Sequence, residues 1–217
     1  GMKDAARSLV GEHDFRNFCK IDAANVVQFV REIRAVDIQI VQDSSDPRNN
    51  LLAFVLNGSG FLWHQVRCIV AVLFMIGQGK EDISVISKLL NIEEHPCKPT
   101  YNMAPELPLV LWDCSFPDDI EFSYDTNVIQ RVCDNLTLQW KDVVIKGAIM
   151  RHMLDTLQTH APSQVTNTRK RKYTALLDLP VGPSLENLVA NLSGKRKETY
   201  NAKKQKLEEY ESKQNSS

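Results

Sequence analysis

The chain has 217 residues, 43% of them apolar and 24% charged, with a formal net charge of -1 at pH 7. This is too apolar for a disordered chain, and the length suits one large domain or one domain with appendages. The near-neutral total hides a gradient, net -6 over residues 1 to 160 and net +5 over residues 161 to 217, so any polyanion is expected to meet the carboxyl-terminal end.

Residues 5 to 19 are expected to open with a short helix that breaks at Gly11, leaving His13-Asp14-Phe15 in a turn before Phe18 returns to the core. Val36, Ile38 and Ile40 alternate with Asp37 and Gln39, which marks a half-buried strand over about 33 to 41. A polar connection from Gln42 to Asn50 leads to Leu51 through Leu56, apolar on both faces as a central antiparallel strand reads, and Asn57-Gly58-Ser59-Gly60 ends it with turn chemistry. From about Leu62 the spacing of Val66, Ile69, Val70, Leu73 and Phe74 predicts a core helix closed by Gly77 and Gly79. Asp82 is expected to cap a second helix reaching Asn91, followed by a proline-bearing link from His95 to Thr100. Leu107 to Phe116 and Ile120 to Tyr124 read as two more strands, and beyond Asp125 apolar residues recur at helical intervals to about His160. Thr166 to Lys172 is polar and basic, Ser184 suits the N-cap of an amphipathic helix, and Lys195 to Lys213 is mostly charged. The expected fold is α+β, an antiparallel sheet backed by helices over residues 1 to 125, with a helical appendage over 126 to 160 and a basic, partly ordered tail over 161 to 217.

Five cysteines, Cys19, Cys68, Cys97, Cys114 and Cys133, form no C-x-x-C pair, which argues against a zinc site or a disulfide framework and fits a reducing compartment, nucleus or cytoplasm. The longest unbroken apolar run, Cys68 to Ile76, is nine residues against the roughly twenty needed to cross a bilayer, so no membrane partner is expected. Gly1 ahead of Met2 has the look of a residue left by a cleaved tag, and a piece of a longer protein is expected.

Between Arg48 and Lys80 the one charged residue is Arg67, in the first turns of the predicted core helix, where the macrodipole disfavours a cation. A guanidinium in apolar surroundings requires an anion and further hydrogen bonds, so Arg67 either makes a structural salt bridge or carbonyl clamp or belongs to an active site.

The surroundings of Arg67 carry a resemblance. Gly58-Ser59-Gly60-Phe61-Leu62-Trp63-His64-Gln65-Val66-Arg67-Cys68-Ile69-Val70 resembles the G-x-G-F-L-x-H-x-V-R-x-I-V motif of TruA-type tRNA pseudouridine synthases. Leu9 through Phe18 is similar to that family's L-x-G-x-H-D-F-x-x-F, and Glu106 through Asp113 to its third signature, a strand carrying L-x-L. Phe15 to Asp22 and Pro99 to Glu106 further resemble the eukaryotic Deg1-like branch, which modifies positions 38 and 39 of the tRNA anticodon arm.

The resemblance implies a base isomerisation without a cofactor or metal, in which uridine is detached from its ribose, rotated and reattached through carbon, with an aspartate as the essential residue. Arg67 then pairs with that aspartate beside a flipped base, and Leu109, or Leu107, lines the uracil pocket. His13, Phe15, Arg16, Phe61 and His64 fall among the expected RNA contacts, joined by the tail cluster Arg169, Lys170, Arg171 and Lys172, which also reads as a solvated tail or a nuclear-import signal. Asp14 sits in H-D-F but matches a position that is not the family's catalytic one, so loop structure or RNA positioning is its expected role. No segment resembles the family's G-R-T-D-x-G, which carries the nucleophile, nor the part bearing its stacking tyrosine. The chain is therefore expected to be the carboxyl-terminal half of a synthase, inactive alone, with tRNA, the missing amino-terminal half and a second protomer of a homodimer as partners. The rival expectation is a non-catalytic module that binds structured RNA or protein, separated from the enzyme by the absence of an upstream G-R-T-D segment.

Overall fold

In the computed structural model, residues 1–43, 50–160 and 173–214 are described; residues 44–49, 161–172 and 215–217 lie outside them, and with them Arg169, Lys170, Arg171 and Lys172. Two compact units divide the chain, Gly1–Leu109 with Tyr173–Ser217, and Val110–Lys172.

The first unit is built on an antiparallel sheet of three strands in the order β1-β2-β3, where β1 is Gly11–Asp14, β2 is Val30–Gln42 and β3 is Leu51–Gly58. The expected α+β fold is what the chain adopts, but β1 was not anticipated. Gly11-Glu12-His13-Asp14 lacks β-branched residues and becomes a strand because it pairs with Val30 to Ile33, a case of tertiary pairing overriding propensity. Leu51 through Leu56 pairs with β2 alone among the described residues, so it is an edge strand with Leu51 and Leu52 exposed, not a strand covered on both faces. Register shifts between Ile33 and Ala35 and between Ile40 and Gln42 bend β2, the ordinary work of bulges.

At the end of β3 the backbone closes on its neighbour. A Cβ at Gly58 would stand 2.7 Å from the carbonyl oxygen of Glu32 and 3.3 Å from the Phe61 ring. The adjacent Ser59 N–H donates to the same Glu32 oxygen at 3.1 Å, so the strand cannot simply move away. Gly58→Ala is expected to destabilise the chain by about 1–3 kcal/mol, read as a lower urea midpoint at unchanged slope.

Helices α1 (Met2–Arg7), α2 (Gln65–Gly77) and α3 (Val85–Leu90) cover the sheet. The inward face of α2, Cys68, Ile69, Val72, Leu73 and Ile76, is buried as the 3.6-residue spacing requires, and it shares one core with Leu9, Phe15, Phe18, Ile33, Ile86 and Leu89. Helix α3 begins later than expected: Ser84 stands at its N-cap, and Asp82, two residues earlier, accepts the Ser84 N–H at 2.9 Å. The stretch from Tyr173 returns to this unit and places Leu176 in the core with no exposed surface. Glu81 holds it there, accepting from the Leu176 N–H at 2.6 Å and from the Tyr173 hydroxyl. Helix α5 (Leu185–Ala190) has the predicted Ser184 cap, whose Oγ accepts the Asn187 N–H at 3.2 Å, and α6 (Gly194–Gln214) follows.

No strand forms over 107–116 or 120–124, contrary to expectation; the second unit begins within the first of these segments, at Val110. A strand persists only where a neighbour takes its N–H and C=O groups, and among the described residues these two segments have none. Leu107, Val110, Leu111 and Trp112 are left exposed. Helix α4 (Thr126–His160) runs 35 residues without a buried side chain. Its apolar residues Ile129, Leu136, Val143, Met150 and Leu157 recur every seventh position and are all exposed. No helix among the described residues is long and apolar enough to cross a membrane.

Candidate active site around Arg67

The chain enters α2 through His64, whose φ of 60° is the one positive value at a non-glycine among the described residues. Histidine tolerates this left-handed region better than most side chains, though at a cost. Buried Gln65 secures the entry, its Oε1 accepting the Leu62 N–H at 2.7 Å. Two residues later Arg67 leaves the helix with 16% of its side chain exposed.

Three acceptors meet its guanidinium. Nε donates to the Ala104 carbonyl at 2.7 Å, Nη2 to Glu106 Oε2 at 2.8 Å, and Nη1 stands 3.5 Å from His64 Nδ1. The Ala104 N–H also donates back to the Arg67 carbonyl at 3.1 Å, so the two backbones are clamped side by side. The structural alternative for Arg67 is thereby present in both its forms, a carbonyl clamp and an ion pair. They differ in permanence. The Ala104 carbonyl belongs to a fixed segment, whereas the Glu106 carboxylate is 76% exposed, and an ion pair so open to water contributes about 0–1 kcal/mol. Three of the five guanidinium N–H groups are engaged, which leaves two to meet another anion.

The segment carrying Ala104 is held from behind. Lys98 Nζ donates to the Cys19 carbonyl at 2.9 Å and lies 3.1 Å from Cys68 Sγ, with the Tyr101 ring centroid 4.7 Å away. The Tyr101 hydroxyl donates to the Asn17 carbonyl at 2.7 Å. Pro99 bridges Val181, and the Thr100 N–H reaches the Pro180 carbonyl at 2.8 Å, so the returning carboxyl-terminal stretch braces the link. Burial pushes the Cys19 thiol up to about 12 and the Tyr101 phenol well above its usual value, so both stay protonated and structural. All five cysteines are free.

Beside α2, Lys20 and Trp63 form an open platform. The Lys20 N–H donates to the Trp63 carbonyl at 2.9 Å, its ammonium sits 4.3 Å from the half-exposed indole, and Trp63 stacks on His64 with centroids 4.9 Å apart. The His64 imidazole is held below its ordinary pKa by partial burial first, then by Arg67, Lys20 and Lys98, with Glu106 pulling weakly the other way.

The Gly58–Val70 block and the start of the Glu106–Asp113 block meet at Arg67, while Leu9, Phe15 and Phe18 join α2 in the core. Not every expected residue joins them. Phe15, expected to contact RNA, has no exposed surface; it packs edge-on against Phe18 with centroids 6.2 Å apart and belongs to the core. Arg16 is committed to Asp14, forking onto both carboxylate oxygens at 2.7–3.1 Å while its own N–H donates to Oδ1 at 2.9 Å, and that pairing raises the guanidinium pKa further. Asp14 is consequently a loop-setting residue. His13 is partly exposed, with Nε2 3.0 Å from the Val10 carbonyl, and no recorded contact ties it to Arg67. Phe61 is exposed near the platform. Leu109, expected on a strand, sits 49% exposed after a turn closed by its N–H to the Glu106 carbonyl at 2.9 Å. The sequence reading had not singled out Glu106, the Ala104 carbonyl, Lys20 or Trp63 as parts of this site; their signal was no more than proximity to the motif letters.

The start of α2 thus brings together an arginine on an exposed carboxylate, a half-exposed indole and a lysine ammonium. The family comparison agrees in its extent: the model described as tRNA pseudouridine synthase matches residues 5–117, the same stretch that carries the three blocks. The chain belongs to the tRNA pseudouridine synthase family. It is 42% identical over 164 residues to the tRNA pseudouridine(38/39) synthase of Homo sapiens, covering 73% of this chain and 34% of that protein. To the proteins of the same description from Mus musculus and Saccharomyces cerevisiae it is 37% and 43% identical, over 92% and 77% of this chain and 42% and 37% of theirs. The chain thus spans about a third to two fifths of the length of these relatives.

Proposed function

We propose that this chain is the carboxyl-terminal part of a tRNA pseudouridine synthase that isomerises uridine to pseudouridine at positions 38 and 39 of the anticodon stem-loop. The observation that carries the proposal is the exposed Glu106 carboxylate on a largely buried Arg67, where the block around Arg67 meets the start of the Glu106–Asp113 block.

In this reading the catalytic aspartate comes from the amino-terminal half and takes Arg67 as its partner, while Glu106 gives way or shares the guanidinium. The reaction breaks the bond between C1′ and N1, turns the uracil and joins C5 to C1′; C5 then gives up its proton and N1 takes one, so product and substrate have the same composition. Arg67 fixes the aspartate and keeps it ionised by charge pairing. Leu109, free of a strand of its own, packs onto the uracil once the two halves join. Lys20, Trp63 and Phe61 offer a cation and two exposed rings to the RNA around the flipped base, since aromatic faces stack on bases without regard to sequence. Arg169, Lys170, Arg171 and Lys172 supply salt-sensitive phosphate contacts, and the enzyme works in the nucleus, the cytoplasm or both. A second protomer is the partner we assign to the exposed seam of α4, because a seven-residue apolar period is the spacing at which two helices wrap. Sedimentation of the complete enzyme as a monomer would remove that assignment.

The test is complementation. This chain, mixed with the amino-terminal half, is expected to form pseudouridine in an anticodon-arm RNA, while either part alone forms none. Turnover by this chain alone, or no product from two folded and associated halves, overturns the reading.

A further inference from the structure

Arg67 needs its plane fixed as well as its charge met, and its immovable acceptor, the Ala104 carbonyl, holds one edge of the guanidinium at Nε. The far end, Nη1, faces His64 Nδ1 at 3.5 Å. An N–H can donate to this nitrogen only when the nitrogen carries no proton, so the contact selects the neutral tautomer with its hydrogen on Nε2. The ring is held for this: His64 occupies the left-handed region, which few side chains adopt, and it stacks on Trp63, itself under the Lys20 ammonium. Strain kept at one position next to an active-site candidate is the pattern expected of a residue whose orientation is used.

We propose that His64 is a positioning residue for Arg67, a neutral imidazole whose Nδ1 accepts from Nη1 and sets the plane in which the guanidinium meets the catalytic carboxylate. This rests on the synthase reading above and deepens it. It differs from the expectation that His64 contacts RNA. The charged groups around the ring are Arg67 on α2, Lys20 from the loop before β2, Lys98 from the link behind α2 and Glu106 beyond it. Three are cations, so protonation is opposed on every side but one. Because the imidazole pKa is depressed, the contact is intact at neutral pH and is lost only as pH falls through that lowered value, when a second cation is placed against Arg67.

The backbone dictates the variants. Glycine accepts the left-handed region and removes the ring, while asparagine accepts it and keeps an acceptor. In the complete enzyme, His64→Gly is expected to lower kcat about tenfold to a hundredfold, the range of a slightly misplaced catalytic group, with KM for tRNA within about threefold. His64→Asn is expected to retain kcat within about threefold and to lose the acid limb of the pH profile that wild type shows. Nitrogen-detected NMR of this chain at neutral pH is expected to show Nδ1 unprotonated and Nε2 protonated. A raised KM at unchanged kcat in His64→Gly, an unaltered acid limb in His64→Asn, or a protonated Nδ1 overturns the proposal. The wild-type complete enzyme separates this from the broader reading: if it is folded and forms no pseudouridine the synthase reading fails, whereas an active wild type and an inactive Arg67→Ala beside a fully active His64→Gly refute the positioning role alone.

Discussion

Arg67→Ala in the complete enzyme is expected to reduce kcat by at least about a hundredfold to a thousandfold, the scale of removing one preorganised electrostatic group from an active site. Affinity for tRNA should change little, because in the proposed reading Arg67 meets the catalytic carboxylate and not the RNA. Stability should change little as well. The variant strands the Ala104 carbonyl, which costs about 1–2 kcal/mol, but the Glu106 carboxylate already lies 76% in solvent and needs no partner. Arg67→Lys is expected to recover only part of the activity. An ammonium on a flexible stem cannot satisfy the Ala104 carbonyl, a carboxylate and His64 from one plane. Folded variants, confirmed by thermal unfolding, that turn over at wild-type rate would show that Arg67 is only a clamp for the 104–106 segment.

The largest stability loss is expected at Asn17. Its side chain is fully buried, and Nδ2 donates to the Leu89 carbonyl at 2.9 Å and the His95 carbonyl at 2.7 Å, joining the end of α3 to the start of the proline-bearing link. Its own carbonyl accepts from Tyr101, so one residue holds both ends of the stretch that delivers Ala104 to Arg67. Asn17→Ala removes both side-chain bonds and leaves two carbonyls without this donor, for an expected loss of about 2–4 kcal/mol. The Oδ1 atom has no partner in the structure, which keeps the loss toward the lower end. Asn17→Asp is expected to cost more, since a carboxylate donates nothing and faces two carbonyl oxygens in a buried site. Urea midpoints for the two variants decide it; an Asn17→Asp midpoint at or above that of Asn17→Ala would contradict the assigned donor role.

Much of the fold followed from periodicity. Helix α2 was legible because its apolar residues line one 3.6-residue face, and α4 because the same pattern continues for 35 residues. The strand over Val36 to Ile40 was legible from its alternation. Short or partner-dependent strands were not. Glu12 to Asp14 carries no strand signal and pairs only because β2 lies beside it, while Leu107 to Phe116 has the composition of a strand and, among the described residues, no neighbour to pair with. Arg67 stood out as an isolated charge, yet Glu106, 39 residues later and surrounded by ordinary loop letters, gave no hint that it was the anion. Phe15 misled for the opposite reason: it lies inside a motif, and nothing in a motif separates a core phenylalanine from one that meets RNA.

Leu176, sealed in the core, has a consequence for how the protein is made. The apolar faces of α2 and α3 are synthesised some hundred residues earlier, about ten seconds at ordinary translation rates, and they stay incompletely covered until Tyr173 and Leu176 emerge and find Glu81. Folding of this unit is therefore late relative to the appearance of its motifs. A ribosome stalled before residue 173 presents an exposed apolar surface to chaperones and proteases, and premature termination there should be seen as loss of protein before loss of any activity.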